Sequence, residues 1–542
     1  MATKLVQRIV IYSVVAAVCI YGVFTYQRSR LREAESPQGG VEFDTPLEPV
    51  AQEGKPAILP ADVQKRDAVV AAFKHAWSAY ERDALGDDDY MPISRKGSNM
   101  SRPAGTIGYM LTDALDTMFL MGLDPEFRRA RKWVASKLSF DRDQPYSTFE
   151  TTIRVFGGLL STYYLSGDQI FLTKAKDLGD RLMFAFNTDT GLPLSSVNFK
   201  TGQAVPDWGN PGQVSTAEAA TLQLEFRYLS HLTGNVTYWH KTEKVIEMIK
   251  KALPKPPLVP IFMNYRDATF GHSDVRLGSR ADSYYEYLLK DYLQTGRTEH
   301  VYREMYDEAM TAIHDNLLAR TPRHNLLYTV EAPSSNYDRK EHKQDHLVCF
   351  LGGSLMLGAT DGGRADVPPR LETLDARAKR DWKAGEELIR TCMETHKTKT
   401  GLSPEITYFR TETSNSDDGR DWYIKNPGWD ARYLLRPETV ESLFLGWRLT
   451  GDQRYRDWGW SVFSAIEKHC KIPSGGYATV LNVDRLPAEH EDKMETFFLA
   501  ETLKYLFLLF ADSSVLPLTD VVFNTEAHPL PVFKPTIRTG FS

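Results

Sequence analysis

The chain has 542 residues, 42% of them apolar, 25% charged and 11% aromatic, enough for one large core or several ordinary ones; intrinsic disorder and fibrous classes are excluded. Sixty-five Lys and Arg against 71 Asp and Glu leave a formal charge of −6, so no overall basic surface draws a nucleic acid. Four Cys, none in a C-x-x-C pair, exclude a disulfide scaffold and a zinc ribbon.

Ile9 to Gln27 is a run of 19 uncharged residues, with Lys4 and Arg8 before it and Arg28, Arg30 and Arg32 after it. That length spans a bilayer as a helix, so residues 1–30 are predicted to be a short tail and an uncleaved signal anchor; a cleaved signal peptide is the alternative. The flanking charges do not orient the anchor. The short tail and the sequons Asn99-Met-Ser101 and Asn235-Val-Thr237 favour a lumenal body. Residues 31–64, rich in Pro, Gly and Glu and without an apolar period, read as a flexible stem. The body is predicted over 65–530, with a tail at 531–542.

Within the body one pattern recurs from Asp113 onward: an apolar helical stretch, a tight turn usually holding Gly, then a more charged helix. The apolar stretches end at Gly122, Gly167, Gly234, Gly296, Gly358, Gly451 and Asp512. Each unit reads as a helical hairpin that cannot bury its apolar face alone, and seven in series stack or close. The expected fold is all-α: an (α/α)7 barrel of seven helical hairpins in a single domain. Strand signals are few and read as loop hairpins, as at Ser474–Val480.

Glu150, Glu218, Asp282, His346, Glu438 and Glu495 each fall at the start of a predicted inner helix. Parallel inner helices gather those starts at one mouth, which makes a ring of acids. Capping explains single members, since Ser147-Thr-Phe-Glu150 and Ser279-Arg-Ala-Asp282 match the capping box and Pro437-Glu438 a favoured first turn. It does not explain the second polar groups one turn deeper, Arg154, Glu286 and Glu441, which are costly to place in apolar helices. A hollow lined by carboxylates, with Arg154, Arg280, Arg436 and aromatics, suits a sugar. Glycoside hydrolysis needs one carboxylic acid to protonate the leaving oxygen and one carboxylate to activate water or attack carbon.

The strings FETTIRVFGGLL, RADSYYEYLLK, DHLVCFLGG, GLSPEI, RPETVESLF, DKMETFFLAETLKYLFLLF and FNTEAHP together resemble the class I α-1,2-mannosidases, glycoside hydrolase family 47, over about residues 65–530. The resemblance implies an (α/α)7 barrel, inverting hydrolysis of terminal α-1,2-linked mannose on high-mannose N-glycans, and one Ca²⁺. Carried over by motif, Glu438 is the general base. Glu150 and Asp282 are both candidates for the acid, and His346 is a sugar and water contact. Thr525 is the Ca²⁺ ligand, with waters held by Glu438, Glu441, Glu501 and Glu405. Phe497 is the platform beneath the terminal mannose, and Arg154, Glu286, Arg436 and Glu501 contact substrate or pair with acids. Cys349 and Cys392 match the family disulfide, which needs an oxidising lumen; Cys470 is expected to be a buried free thiol.

Arg280 resembles the residue carried by members that trim a single middle-branch mannose (Man9 to Man8), and so implies the endoplasmic reticulum type, in glycoprotein quality control. The implied location is the reticulum membrane, single-pass type II with a lumenal catalytic body, acting as a monomer. A Golgi-type enzyme removing several mannoses and a non-catalytic mannose-binding degradation factor are the alternatives. The second lacks a catalytic acid in its usual form, whereas all three acids are present here.

Overall fold

The computed structural model describes residues 58–101, 104–360, 371–412 and 418–541. The predicted anchor, the stem up to residue 57 and Cys19 lie outside them. Among the described residues no helix is long and apolar enough to cross a membrane. All of them belong to one compact unit, Pro56–Ser542.

The chain is mostly helical. Seven inner segments follow one another among the described residues: Leu115–Leu120, Gly157–Ser166, Gln223–Thr233, Asp282–Gln294, Phe350–Ala359, Glu438–Thr450 and Leu503–Phe510. Each packs on the next, and the turn Phe498–Thr502 that opens the last packs on Leu115–Leu120, so contacts run round in a closed order. The inner helices are covered on all sides; in Asp282–Gln294 every residue from Ser283 on is buried. Outer helices bury one stripe. In Gln453–His469 that stripe is Tyr455, Gly459, Val462, Phe463 and Ile466, at the three-to-four spacing of an amphipathic helix.

Six inner helices pair with the outer helix that follows them in the chain. The seventh, Leu503–Phe510, has no helix after it and pairs with Val63–Ala84 from the start of the body. Backbone bonds between Asp62 and Phe510 and between Ser513 and Leu59 tie the two ends together. Leu59, Asp62 and the first residues of Val63–Ala84 fall in the stretch read as stem, and the last inner helix takes that segment as its outer half.

Gly167 and Gly451 end inner helices in the left-handed conformation, at φ 68° and 66°, as the repeat predicts. Gly358 does not: Phe350–Ala359 runs through it, and a Cβ there would stand 2.6 Å from the Tyr306 hydroxyl, so it is small for close packing. The strands are two to four residues long and pair antiparallel. Three of them, Pro145–Ser147, Gln213–Ser215 and Lys343–Asp345, run directly into an inner segment and fix where it starts. The disulfide Cys349–Cys392 spans 43 residues and joins an inner segment to its outer helix, worth roughly 3–4 kcal/mol in the chain-entropy model. Cys470 is free and buried.

Candidate active site

Inner helix starts from separate parts of the chain meet at one cavity of about 420 Å³, whose lining includes Glu150, Arg154, Glu218, Arg280, Asp282, Arg436, Glu438, Phe497, Glu501 and Thr525. Ser147 and Ser215 cap their helices through the backbone N–H groups of Glu150 and Glu218, which sets those carboxylates at the mouth. Ser279 does not cap: the residue before Asp282–Gln294 is Ala281, and the Asp282 carboxylate turns back to accept the Ser283 N–H at 2.8 Å. Two π turns, Thr151–Phe156 and Phe498–Thr502, lie in the wall and carry Arg154 and Glu501; such turns recur at functional sites.

Arginines hold the acids in place. Arg154 donates to Glu150 at 2.9 Å and to Thr496 at 3.2 Å, and pairs with Glu526; Tyr109 adds a donor to Glu150 at 3.3 Å. Arg436 forks onto Glu405 at 2.6 to 3.0 Å and stands 4.0 Å from Glu438. Both guanidiniums lie over the Phe497 ring, at 5.6 and 5.5 Å from its centroid. Arg280, in the left-handed backbone region at φ 76°, stacks over Phe262 and reaches Glu218 at 3.5 Å.

Burial and neighbouring acid charges push Asp282 up to about 7, the charges being those of Glu286, Glu438 and Asp345. Glu438 is pushed to about 7 by burial, opposed by Arg436 and reinforced by Glu405 and Glu286; its Oε2 has no partner among the described residues. Glu438 thus adds to the rise at Asp282, while Arg436 works against the rise at Glu438.

One turn deeper lie Glu286, Glu441 and Glu501, with Lys290 paired to Glu286 and 3.7 Å from Glu441. Burial and mutual repulsion raise both Glu441 and Glu501. One lysine among these acids and Glu438 leaves negative charge unbalanced, which fits a hard cation taking oxygen ligands. Among the described residues no three His, Cys, Asp or Glu converge closely enough to hold a metal directly. Thr525 lines the same cavity and carries further oxygen atoms there.

Thr525 sits in the turn of the hairpin Val521–Phe523/Pro529–Pro531, which contacts three inner segments from within. The Asn524 side-chain Oδ1 accepts from the backbone N–H groups of Glu526 and His528, and its Nδ2 donates to Glu225 at 2.7 Å. Beneath the turn a charged cluster is sealed from solvent. His528 contacts Asp113 at 3.0 Å and Asp116 at 2.8 Å, and Lys504 contacts Asp116 at 2.9 Å, all four side chains 0% exposed. Burial opposes charge on Asp116, but Lys504 and His528 outweigh it and hold the carboxyl to about 2.

Two residues stand elsewhere than expected. His346 is behind the cavity wall, where Leu347 takes the lining position. Its Nε2 meets Thr439 Oγ1 at 2.9 Å, next to Glu438, and its N–H donates to the Glu405 carbonyl. Burial, with His396 and Arg436 nearby, keeps it neutral. These bonds tie the start of the Glu438 helix to the segment that carries Glu405. Glu286 is likewise below the cavity, on Lys290. Glu495 pairs with Lys493 at 2.8 Å. Sequence reasoning missed Glu526, Lys290, Tyr109 and the sealed cluster. Its own criterion, polar residues inside apolar helices, applies to Asp113, Asp116, Lys290 and Lys504.

Comparison with known proteins bears on this geometry. Residues 72–532 match the model of glycosyl hydrolase family 47. The chain is 43% identical over 509 residues, 93% of its length and 68% of the relative's, to the endoplasmic reticulum mannosyl-oligosaccharide 1,2-alpha-mannosidase of Homo sapiens. It is 42% identical over 480 residues, 87% of its length and 90% of the relative's, to the protein of the same name from Schizosaccharomyces pombe. The solved alpha-1,2-mannosidase from Trichoderma reesei superposes with a TM-score of 0.77 at 28% identity, covering 88% of this chain and all of that one.

Proposed function

The chain belongs to glycosyl hydrolase family 47, and from that premise we propose that it hydrolyses terminal α-1,2-linked mannose on high-mannose N-glycans, as a mannosyl-oligosaccharide 1,2-α-mannosidase of the endoplasmic reticulum type. The closed order of seven inner segments, each with an outer partner, is read as an (α/α)7 barrel. The observation that carries the activity is the single cavity in which Glu150, Asp282 and Glu438, from three inner helices, face one another.

Glu438 helps to raise Asp282, and Arg436 beside Glu438 favours its charged form. At neutral pH the pair then divides into one acid and one base, the division hydrolysis needs. Glu438 takes a proton from the attacking water; Asp282 gives one to the leaving oxygen. Glu150, held by Arg154 and Tyr109, is the competing acid. The single attack by water inverts the anomeric centre. Phe497, with the Arg154 and Arg436 guanidiniums near its ring, supplies the flat face beneath the terminal sugar. Ca²⁺, when bound through Thr525 and waters on Glu438, Glu441, Glu501 and Glu405, supplies positive charge that keeps Glu438 ionised and orients sugar hydroxyls.

Arg280 at the rim, braced by Phe262 and Glu218, supports selection of one glycan branch, a single middle-branch mannose. The disulfide supports a lumenal body; residues 1–30 are read as a type II anchor, and the chain as a monomer. The test is to incubate the body, from about residue 58, with a nine-mannose glycan, with and without chelator, and identify the product isomer. One Man8 isomer, and none with chelator, is expected; no mannose release overturns the reading. Arg280→Leu is expected to release several mannoses, and an unchanged product rejects its role. An aryl mannoside whose leaving group needs no proton rescues whichever of Asp282→Asn and Glu150→Gln removes the acid.

A further inference from the structure

We infer that Asn235 carries an N-linked oligosaccharide in the native protein, an inference that rests on the lumenal placement proposed above. The triplet Asn235-Val236-Thr237 is exposed at all three positions. Asn235 ends the turn between the inner helix Gln223–Thr233 and the outer helix Val236–Ala252, and Val236 and Thr237 open the outer helix. Asn235 is the N-cap of that helix: its Oδ1 accepts the Thr237 N–H at 3.1 Å. Glycosylation leaves the amide with its carbonyl oxygen and one N–H. The cap uses only that oxygen, so the fold accepts the sugar without losing the cap.

The modification joins the Asn235 Nδ2 to the anomeric carbon of an oligosaccharide carried on a lipid diphosphate. The new C–N bond replaces the C–O bond to the diphosphate, which leaves with the electron pair, and one amide proton is released. The position also spares the cavity. Glu218, in the short helix Thr216–Ala220 ahead of Gln223–Thr233, lines the cavity, whereas Asn235 follows the other end of Gln223–Thr233, whose 11 residues span roughly 16 Å at 1.5 Å per residue. A glycan there does not obstruct incoming substrate. Asn99, the other sequon, differs. It is half-buried, and its Oδ1 accepts the N–H of Asp88, which is itself buried.

The full chain, expressed in a eukaryotic host with a reporter sequon appended after Ser542, is treated with an endoglycosidase and weighed, since occupancy reads independently of turnover. We expect Asn235→Gln to lose one enzyme-released glycan while keeping unchanged turnover, and Asn99→Gln to keep that glycan. An unoccupied Asn235 beside an occupied reporter overturns the inference alone. An unoccupied reporter overturns it together with the lumenal placement, and leaves the hydrolase reading to its own assay.

Discussion

Two aspartates, Asp116 fully buried and Asp282 half-buried at the cavity, are driven in opposite directions. Asp282, at the cavity, is pushed up to about 7, while Asp116, under the hairpin turn that carries Thr525, is held to about 2. Both have lost water. Asp116 gained Lys504 and His528 as counter-charges; Asp282 gained the carboxylates of Glu286, Glu438 and Asp345 instead. The sealed cluster is a finished ionic structure joining the first inner helix, the last, and the hairpin. The cavity is an unfinished one, whose negative charge waits for a cation, a proton or a substrate. Charge left unmatched inside a protein marks function more reliably than charge alone.

That contrast predicts that substitutions on the two sides fail in different ways. Glu438→Gln, on the cavity side, is expected to cut turnover by about 10²–10⁴-fold while glycan binding and thermal stability hold; full activity in this variant rejects it as the base. Lys504→Met, on the sealed side, strands Asp116 and is expected to cost about 3–5 kcal/mol in denaturant unfolding. Asp116→Asn combined with Lys504→Met should recover part of that loss, because no buried charge is then stranded. Equal losses in the single and double variants would mean that the cluster is not the ion pair described.

A smaller effect separates the regions by pH. Asp282 and Glu438 have folded values near 7 against ordinary values of 3.8 and 4.5, so the folded state holds more protons across that interval. Their contribution is present below the ordinary values and is lost as pH rises toward 7. Chelated protein should therefore melt lower at pH 7.5 than at pH 5, and added Ca²⁺ should remove most of the difference. Asp116 runs the other way: its contribution is present above 3.8 and lost only as pH falls through about 2. A melting temperature flat from pH 5 to 7.5 without cation would show that the cavity acids are already balanced.

The repeat was legible because each apolar helix ends in a turn and each turn precedes a charged helix, a pattern that depends only on nearest neighbours. Closure was less so. The last inner helix borrows Val63–Ala84 from the far end of the chain, and no local pattern says so. Acids at helix starts were visible through their spacing, and the capping box held at Ser147 but failed at Ser279, where Asp282 bonds the next backbone N–H instead. His346 opens the 3₁₀ turn His346–Cys349, in which Leu347 is the residue that lines the cavity, a local detail that no spacing rule shows. The sealed cluster was missed because its partners are about 390 and 410 residues apart, and only tertiary structure brings Asp116 to Lys504 and His528.

The central claim is that one carboxylate takes a proton from the attacking water while a second carboxyl protonates the leaving oxygen. Following the anomeric proton signal of mannose as it is released, within the first minutes of turnover, tests it most directly. The account predicts that the β-anomer appears first and then equilibrates; initial release of the α-anomer would contradict it.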